Sequence, residues 1–265
     1  MTTWVLLRGL AREQRHWGAF PEVLRQRLPA GDAVIARDLP GAGTRCAERS
    51  PTSVAGMAQA VRGDLRLNGP SGPYVLVALS LGAMTAMQWA VTAPQELRGC
   101  VLINSSLATL SPFWRRLRPG AIPPLLRWLL SASAEAKERA VFDISSNQAF
   151  DAAVVAQWAA IAHSAPVSAR NALRQLFAAS RFDAPARLPV PALVLTSAGD
   201  RLVSHHCSRA IARHWQLPLQ EHPGAGHDLP LDDPAWLADA IAGWRAEALA
   251  AEPGGAVCTS RMTVE

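Results

Sequence analysis

Short apolar, β-branched runs alternate along this chain with stretches of helical spacing, and nothing else in it restricts the fold so strongly. The runs are TWVLLR (3–8), AVIAR (33–37), YVLVAL (74–79), CVLIN (100–104), PALVLTS (191–197) and, more weakly, LPLQEH (217–222). They lack strict period-two alternation, as strands covered on both faces of a parallel sheet do. Helical spacing marks 53–68, introduced by Ser50, Pro51 and Thr52 as cap and first turn, then 83–94, 204–216 and 234–249. Strand alternating with helix predicts an α/β chain built of βαβ units, with an open, doubly wound, mostly parallel sheet.

The alternation stops between Leu107 and Asp183, where only helical patterns remain, with Trp114, Trp128, Trp158 and Phe177 spread among them. Strands bracket this stretch, so it reads as a helical cap inserted after the strand at 100–104. The division expected is a core of residues 1–106 and 184–250 and a cap of 107–183. The tail, 251–265, has no periodicity and is expected to be disordered.

Four cysteines, Cys46, Cys100, Cys207 and Cys258, are scattered without any CxxC or Cys/His cluster, which predicts no metal site and a reducing compartment. The opening MTTWVLLRGL has no basic segment followed by a long apolar one, and no run approaches a membrane span. A cytoplasmic protein is expected. The net charge is +5, but Lys137 is the only lysine and no basic stripe carries interleaved aromatics, so no nucleic-acid partner is expected.

The chemistry gathers at Ala78-Leu79-Ser80-Leu81-Gly82. A strand that turns abruptly into a helix forces its apex residue into a strained backbone, and the residues two before and two after must be small. The result is an exposed hydroxyl at a helix N-terminus, whose dipole favours developing negative charge. A serine there can also be a simple helix cap. The surrounding strand and helix favour the nucleophile.

A serine hydroxyl needs a base. His227, in the Gly-rich stretch HPGAGHDLPLDDP between the last strand and the last helix, is the candidate. His205, His206 and His214 fall on a helix surface, and the first two, being adjacent, cannot share a face as metal ligands. His163 lies in the cap, His222 at a strand end and His16 near the first helix, most of them expected in solvent. The imidazole needs a carboxylate in turn. Asp200, just past the C-terminal end of a buried strand, stands where catalysts gather in open α/β sheets. Asp228 reads instead as a capping or solvated residue. An oxyanion would then be met by the backbone N–H groups of Leu81 and of Leu10, with Gly9 letting the first loop turn close.

LLRGL, RDLPGAGTR (37–45), ALSLG (78–82), SAGDRLV (197–203) and GAGHDLPLDDP (224–234) together resemble the α/β-hydrolase superfamily over residues 3 to 250. Within it the chain is most similar to capped bacterial carboxylesterases, the kind that includes pimeloyl-carrier-protein methyl esterase. The resemblance implies an α/β-hydrolase fold, a Ser80–His227–Asp200 triad, no cofactor, and a small-molecule ester substrate whose acyl group lies under the cap. Phe113, Trp114 and Trp128 are expected to pack inward there. Family members usually carry His-Gly where this chain has Arg8-Gly9. That His is commonly structural, so either the backbone donor survives the change, or Arg8 with Gly9 lines the pocket and aims a cation at it. A serine at the elbow excludes the aspartate chemistry of haloalkane dehalogenases and epoxide hydrolases. Thioester hydrolysis, C–C bond hydrolysis and perhydrolysis remain open with the same triad, as does a non-catalytic receptor. Arg115, Arg116 and Arg118 are either a solvated edge of the cap or a dock for an acidic acyl carrier.

Overall fold

The computed structural model describes residues 1–248, and the expected tail lies outside them. Six parallel strands form one sheet in the order β2-β1-β3-β4-β5-β6. They are β1 (Thr3–Leu7), β2 (Ala33–Arg37), β3 (Tyr74–Leu79), β4 (Leu97–Ile103), β5 (Ala192–Ser197) and β6 (Leu219–His222). Each expected run is a strand, and β4 begins three residues earlier than its apolar pattern. The central strands β1, β3 and β5 are buried along their whole length, which explains their near-continuous apolar character.

Helix α1 (Phe20–Arg27) precedes β2, α2 (Val54–Asn68) precedes β3, and α3 (Leu81–Thr92) links β3 to β4. Helices α4 (Phe113–Arg116), α5 (Ile122–Leu130), α6 (Ala134–Ser145), α7 (Ala152–Ser164) and α8 (Ala169–Ser180) fill the interval between β4 and β5 as the cap. After β5 come α9 (His205–Trp215), the short α10 (Leu229–Asp232) and α11 (Pro234–Ala248). One apolar core joins α2, α3 and α9 to one face of the sheet, and a second joins α1 and α11 to the other. Phe142, Val155, Trp158 and Ile161 make a smaller core inside the cap.

Serine and aspartate side chains start the helices by accepting the unsatisfied N–H groups of the first turn. Ser133, Asp151, Ser168 and Ser204 do so for α6 to α9. For α2 the cap is Ser53, not the expected Ser50-Pro51-Thr52. Ser50 is instead fully buried, its hydroxyl donating to the Pro40 carbonyl oxygen at 2.6 Å. Helix α3 starts at Leu81, two residues before the expected Ala83, so Ser80 directly abuts it.

Candidate active site

Ser80 stands between β3 and α3 with φ 56° and ψ −115°. A non-glycine residue held in such a backbone costs about 1–3 kcal/mol and persists only where its surroundings dictate it. They do so here. Its N–H donates to the Ile103 carbonyl oxygen at 2.9 Å, and its own carbonyl oxygen accepts the Ser105 hydroxyl at 3.0 Å. Although Ser80 holds the N-cap position of α3, its side chain makes no cap bond, unlike Ser53, Ser133, Ser168 and Ser204. The simple capping reading therefore fails.

Small neighbours are required for the reason expected. A Cβ built on Gly82 would lie 2.3 Å from the Leu7 carbonyl oxygen, so α3 can cross the end of β1 only with glycine there. Ala78 is fully buried, and its methyl group fits at the position two before the serine, where a small residue is required. A Cβ on Gly9 would come within 3.1 Å of Ser80 Cβ, which puts the loop after β1 directly against the serine. Leu81 is the first residue of α3, and a first-turn N–H has no acceptor within its own helix.

His227 and Asp200 meet. The imidazole Nδ1 lies 2.7 Å from Asp200 Oδ2, with both residues buried. Asp200 follows β5 in the turn that leads to α9, and its other oxygen accepts the N–H groups of Leu202 and Val203 at 2.8 Å each. A carboxylate so placed accepts, so the neutral imidazole that suits it carries its proton on Nδ1 and its lone pair on Nε2. Asn104, unremarked in the sequence, holds the histidine loop from below. It is fully buried with φ 46°, donates through Nδ2 to the His227 carbonyl oxygen at 2.9 Å, and accepts the Ser197 N–H at 2.9 Å. Its position at the end of β4, in INSS, is the signal that could have drawn attention to it.

Five expectations are corrected. Arg8 aims no cation at the pocket: it is buried in a forked ion pair with Asp228, at 2.9 and 2.6 Å. Asp228 is correspondingly neither solvated nor a side-chain cap of α10. Phe113 and Trp114 do not pack inward, being 76% and 54% exposed, and Trp128 is half-buried beneath the Lys137 ammonium. The arginine run is no continuous free dock either, because Arg116 donates to the Ala179 and Ser180 carbonyl oxygens and Arg118 to that of Asp200.

His16 is the fifth. It is buried, not solvated, with Nε2 facing an Arg12 Nη1 donor at 3.0 Å. Burial first, then the cations of Arg12 and Arg8, drive its pKa far below the usual imidazole value, so it stays neutral.

The cap is fastened to the loops that carry the candidate residues. Asp232 accepts the N–H of Gly226, next to His227, and the N–H of Asn147 in the cap. Asn147 Nδ2 donates to the carbonyl oxygens of Gly199 and Gly224 at 2.9 Å each. Elsewhere, a hollow of about 490 Å³ opens at the other end of β3, lined by Arg62, Arg66, Tyr74, Trp89 and Glu96. Its charges are already matched: hydrogen bonds from Arg62, with Arg66 and Trp89, hold the Glu96 carboxyl down to about 2.

Residues 4–240 match the Alpha/beta hydrolase family. The chain belongs to the α/β-hydrolase family. None of the curated proteins matches this sequence. Among solved structures, it is similar to a thermophilic esterase from Thermogutta terrifontis, at 20% identity over 94% of this chain and 90% of the other, with a TM-score of 0.72. The esterase RhEst1 from a Rhodococcus species is 19% identical over 93% and 91%, with a TM-score of 0.70. RedJ, a thioesterase of the prodiginine pathway in Streptomyces coelicolor, is 20% identical over 92% and 85%, with a TM-score of 0.64. At such identities the likeness concerns the fold.

Proposed function

We propose that this protein is a serine hydrolase that cleaves a carboxylic ester through Ser80, His227 and Asp200. The supporting observation is the elbow itself: a serine held in a left-handed backbone at a helix N-terminus, spared from capping, with the Gly9 loop against it. His227, bonded to Asp200, offers Nε2 as the base.

In this reading Ser80 Oγ attacks the ester carbonyl while His227 Nε2 takes its proton, and Asp200 offsets the imidazolium that forms. The N–H groups of Leu81 and Leu10 receive the oxyanion. Collapse expels the alcohol, protonated by His227, and leaves an acyl-enzyme. Water, deprotonated by His227, then attacks the acyl carbon, and the acid leaves with Ser80 restored. Every step uses side chains, backbone and water. A thioester would follow the same course, and the likeness to a thioesterase makes it the first alternative to assay. C–C bond hydrolysis loses its support with Arg8, whose charge Asp228 matches. Docking of an acidic acyl carrier at the cap arginines is weakened by the bonds that occupy Arg116 and Arg118.

Fluorophosphonate labelling, located by peptide mass spectrometry, tests the reading. Label on Ser80 in the wild type, absent from Ser80→Ala and His227→Ala, is the expected result. An ester and thioester panel of graded acyl length would then separate the substrates. A folded protein that takes no label would overturn the proposal and favour a receptor.

A further inference from the structure

We infer that the Arg8–Asp228 pair is a positioning strut, which sets the loop that donates to the oxyanion against the loop that carries the base. The inference rests on the serine-hydrolase reading above. Arg8 immediately precedes Gly9 and Leu10, and Asp228 immediately follows His227. The two are 220 positions apart in the chain, yet their side chains meet through two hydrogen bonds, from Nη1 to Oδ1 at 2.9 Å and from Nη2 to Oδ2 at 2.6 Å. Two parallel bonds between planar groups define an orientation as well as a distance. The strut therefore fixes how the backbone on either side of it is turned.

At its Arg8 end the pair lies against the turn that carries Ser80. The Arg8 carbonyl oxygen would lie 2.8 Å from a Cβ on Gly82, and Gly9 abuts Ser80. At the other end the Asp228 N–H donates to the Ser145 carbonyl oxygen at 2.7 Å, and the His227 carbonyl oxygen is held by Asn104. The pair also occupies both carboxylate oxygens of Asp228. The acid adjacent in sequence to His227 is thus withdrawn from the imidazole, which is left to Asp200.

Stability is a weak reason for such a pair. Both side chains are almost completely buried, and desolvating two charges offsets much of their attraction. Arg8 Nε and the indole N–H of Trp17, over which the guanidinium lies at 5.0 Å, have no hydrogen-bond partner among the described residues. Apolar residues of similar size would tolerate this pocket at least as well. They could not impose the fork's orientation.

The test compares wild type, Arg8→Lys, and the double variant Arg8→Met/Asp228→Leu on p-nitrophenyl butyrate, with Tm measured for each. Asp228 makes no side-chain cap to α10, so its replacement uncaps nothing. The double variant is expected to keep its Tm or gain, while kcat falls about tenfold or more and KM changes by less than about threefold, because misplacement costs the transition state more than the bound ester. Arg8→Lys, which keeps the charge and loses the fork, is expected to fold normally and lose kcat in the same sense. Wild-type kcat in a folded double variant, or a loss confined to KM, overturns the inference. Should the double variant not fold, full kcat in Arg8→Lys overturns it equally. A wild type that neither takes label at Ser80 nor turns over an ester defeats the triad reading and the strut together, and that is seen before any variant is made.

Discussion

Two helical glycines respond in opposite ways to a methyl group. Gly82 meets the Leu7 and Arg8 carbonyl oxygens, which belong to backbone and cannot step aside. Gly82→Ala is expected to lower stability by about 3 kcal/mol, seen as a lower urea midpoint, and to depress Ser80 labelling as α3 is pushed from β1. Gly63, inside α2, would place a new Cβ in open space. Gly63→Ala is expected to raise stability by about 1 kcal/mol, since alanine gives up less backbone freedom in a helix. A stabilised Gly82→Ala would show that the close crossing is not needed.

At the scale of elements, the decisive contacts run between the cap and the loops after β5 and β6. The segment after α6 reaches both loops through Asn147, and Asp232 binds it from α10. Loss of the Asp232 charge weakens three bonds at once, to Gly226 N–H, Asn147 N–H and the Ser146 hydroxyl. Asp232→Asn is expected to speed amide exchange over residues 145–148 and 226–228 well before global unfolding, and to lower stability by about 2 kcal/mol. Unchanged exchange in both segments would mean that the cap is held by its apolar contacts alone.

For the whole molecule, stability should fall in mild acid through His16. Its imidazole is neutral when folded, and unfolding lets it take up a proton at an ordinary imidazole pKa. The unfolded state then binds more protons, so the contribution is fully present above about pH 6.5 and is lost as pH falls. Between pH 6.5 and 5 the loss is up to about 2 kcal/mol. In urea titrations His16→Gln should lie below the wild type at pH 8, and the gap should narrow by that amount at pH 5. A gap independent of pH would show that His16 protonates freely in the folded protein.

Local pattern along the chain encodes the strands, the helices and the turn at Ser80. Buried strands read as unbroken apolar runs because both faces are covered, so all six strands and their alternation with helices were legible. The elbow around Ser80 was legible because strand, apex and small residues are neighbours in the chain. Asp200 and His227 could be singled out by their places after strands, where the 2.7 Å bond joins them. Tertiary structure decided the rest. Whether Arg8 faced a substrate or an acid depended on a residue 220 positions away, and the chain pattern around either one carries no trace of the other. The outward turn of Phe113 and Trp114 and the burial of His16 depended likewise on how the cap sits, since a short amphipathic stretch shows that it has two faces and not which one is covered.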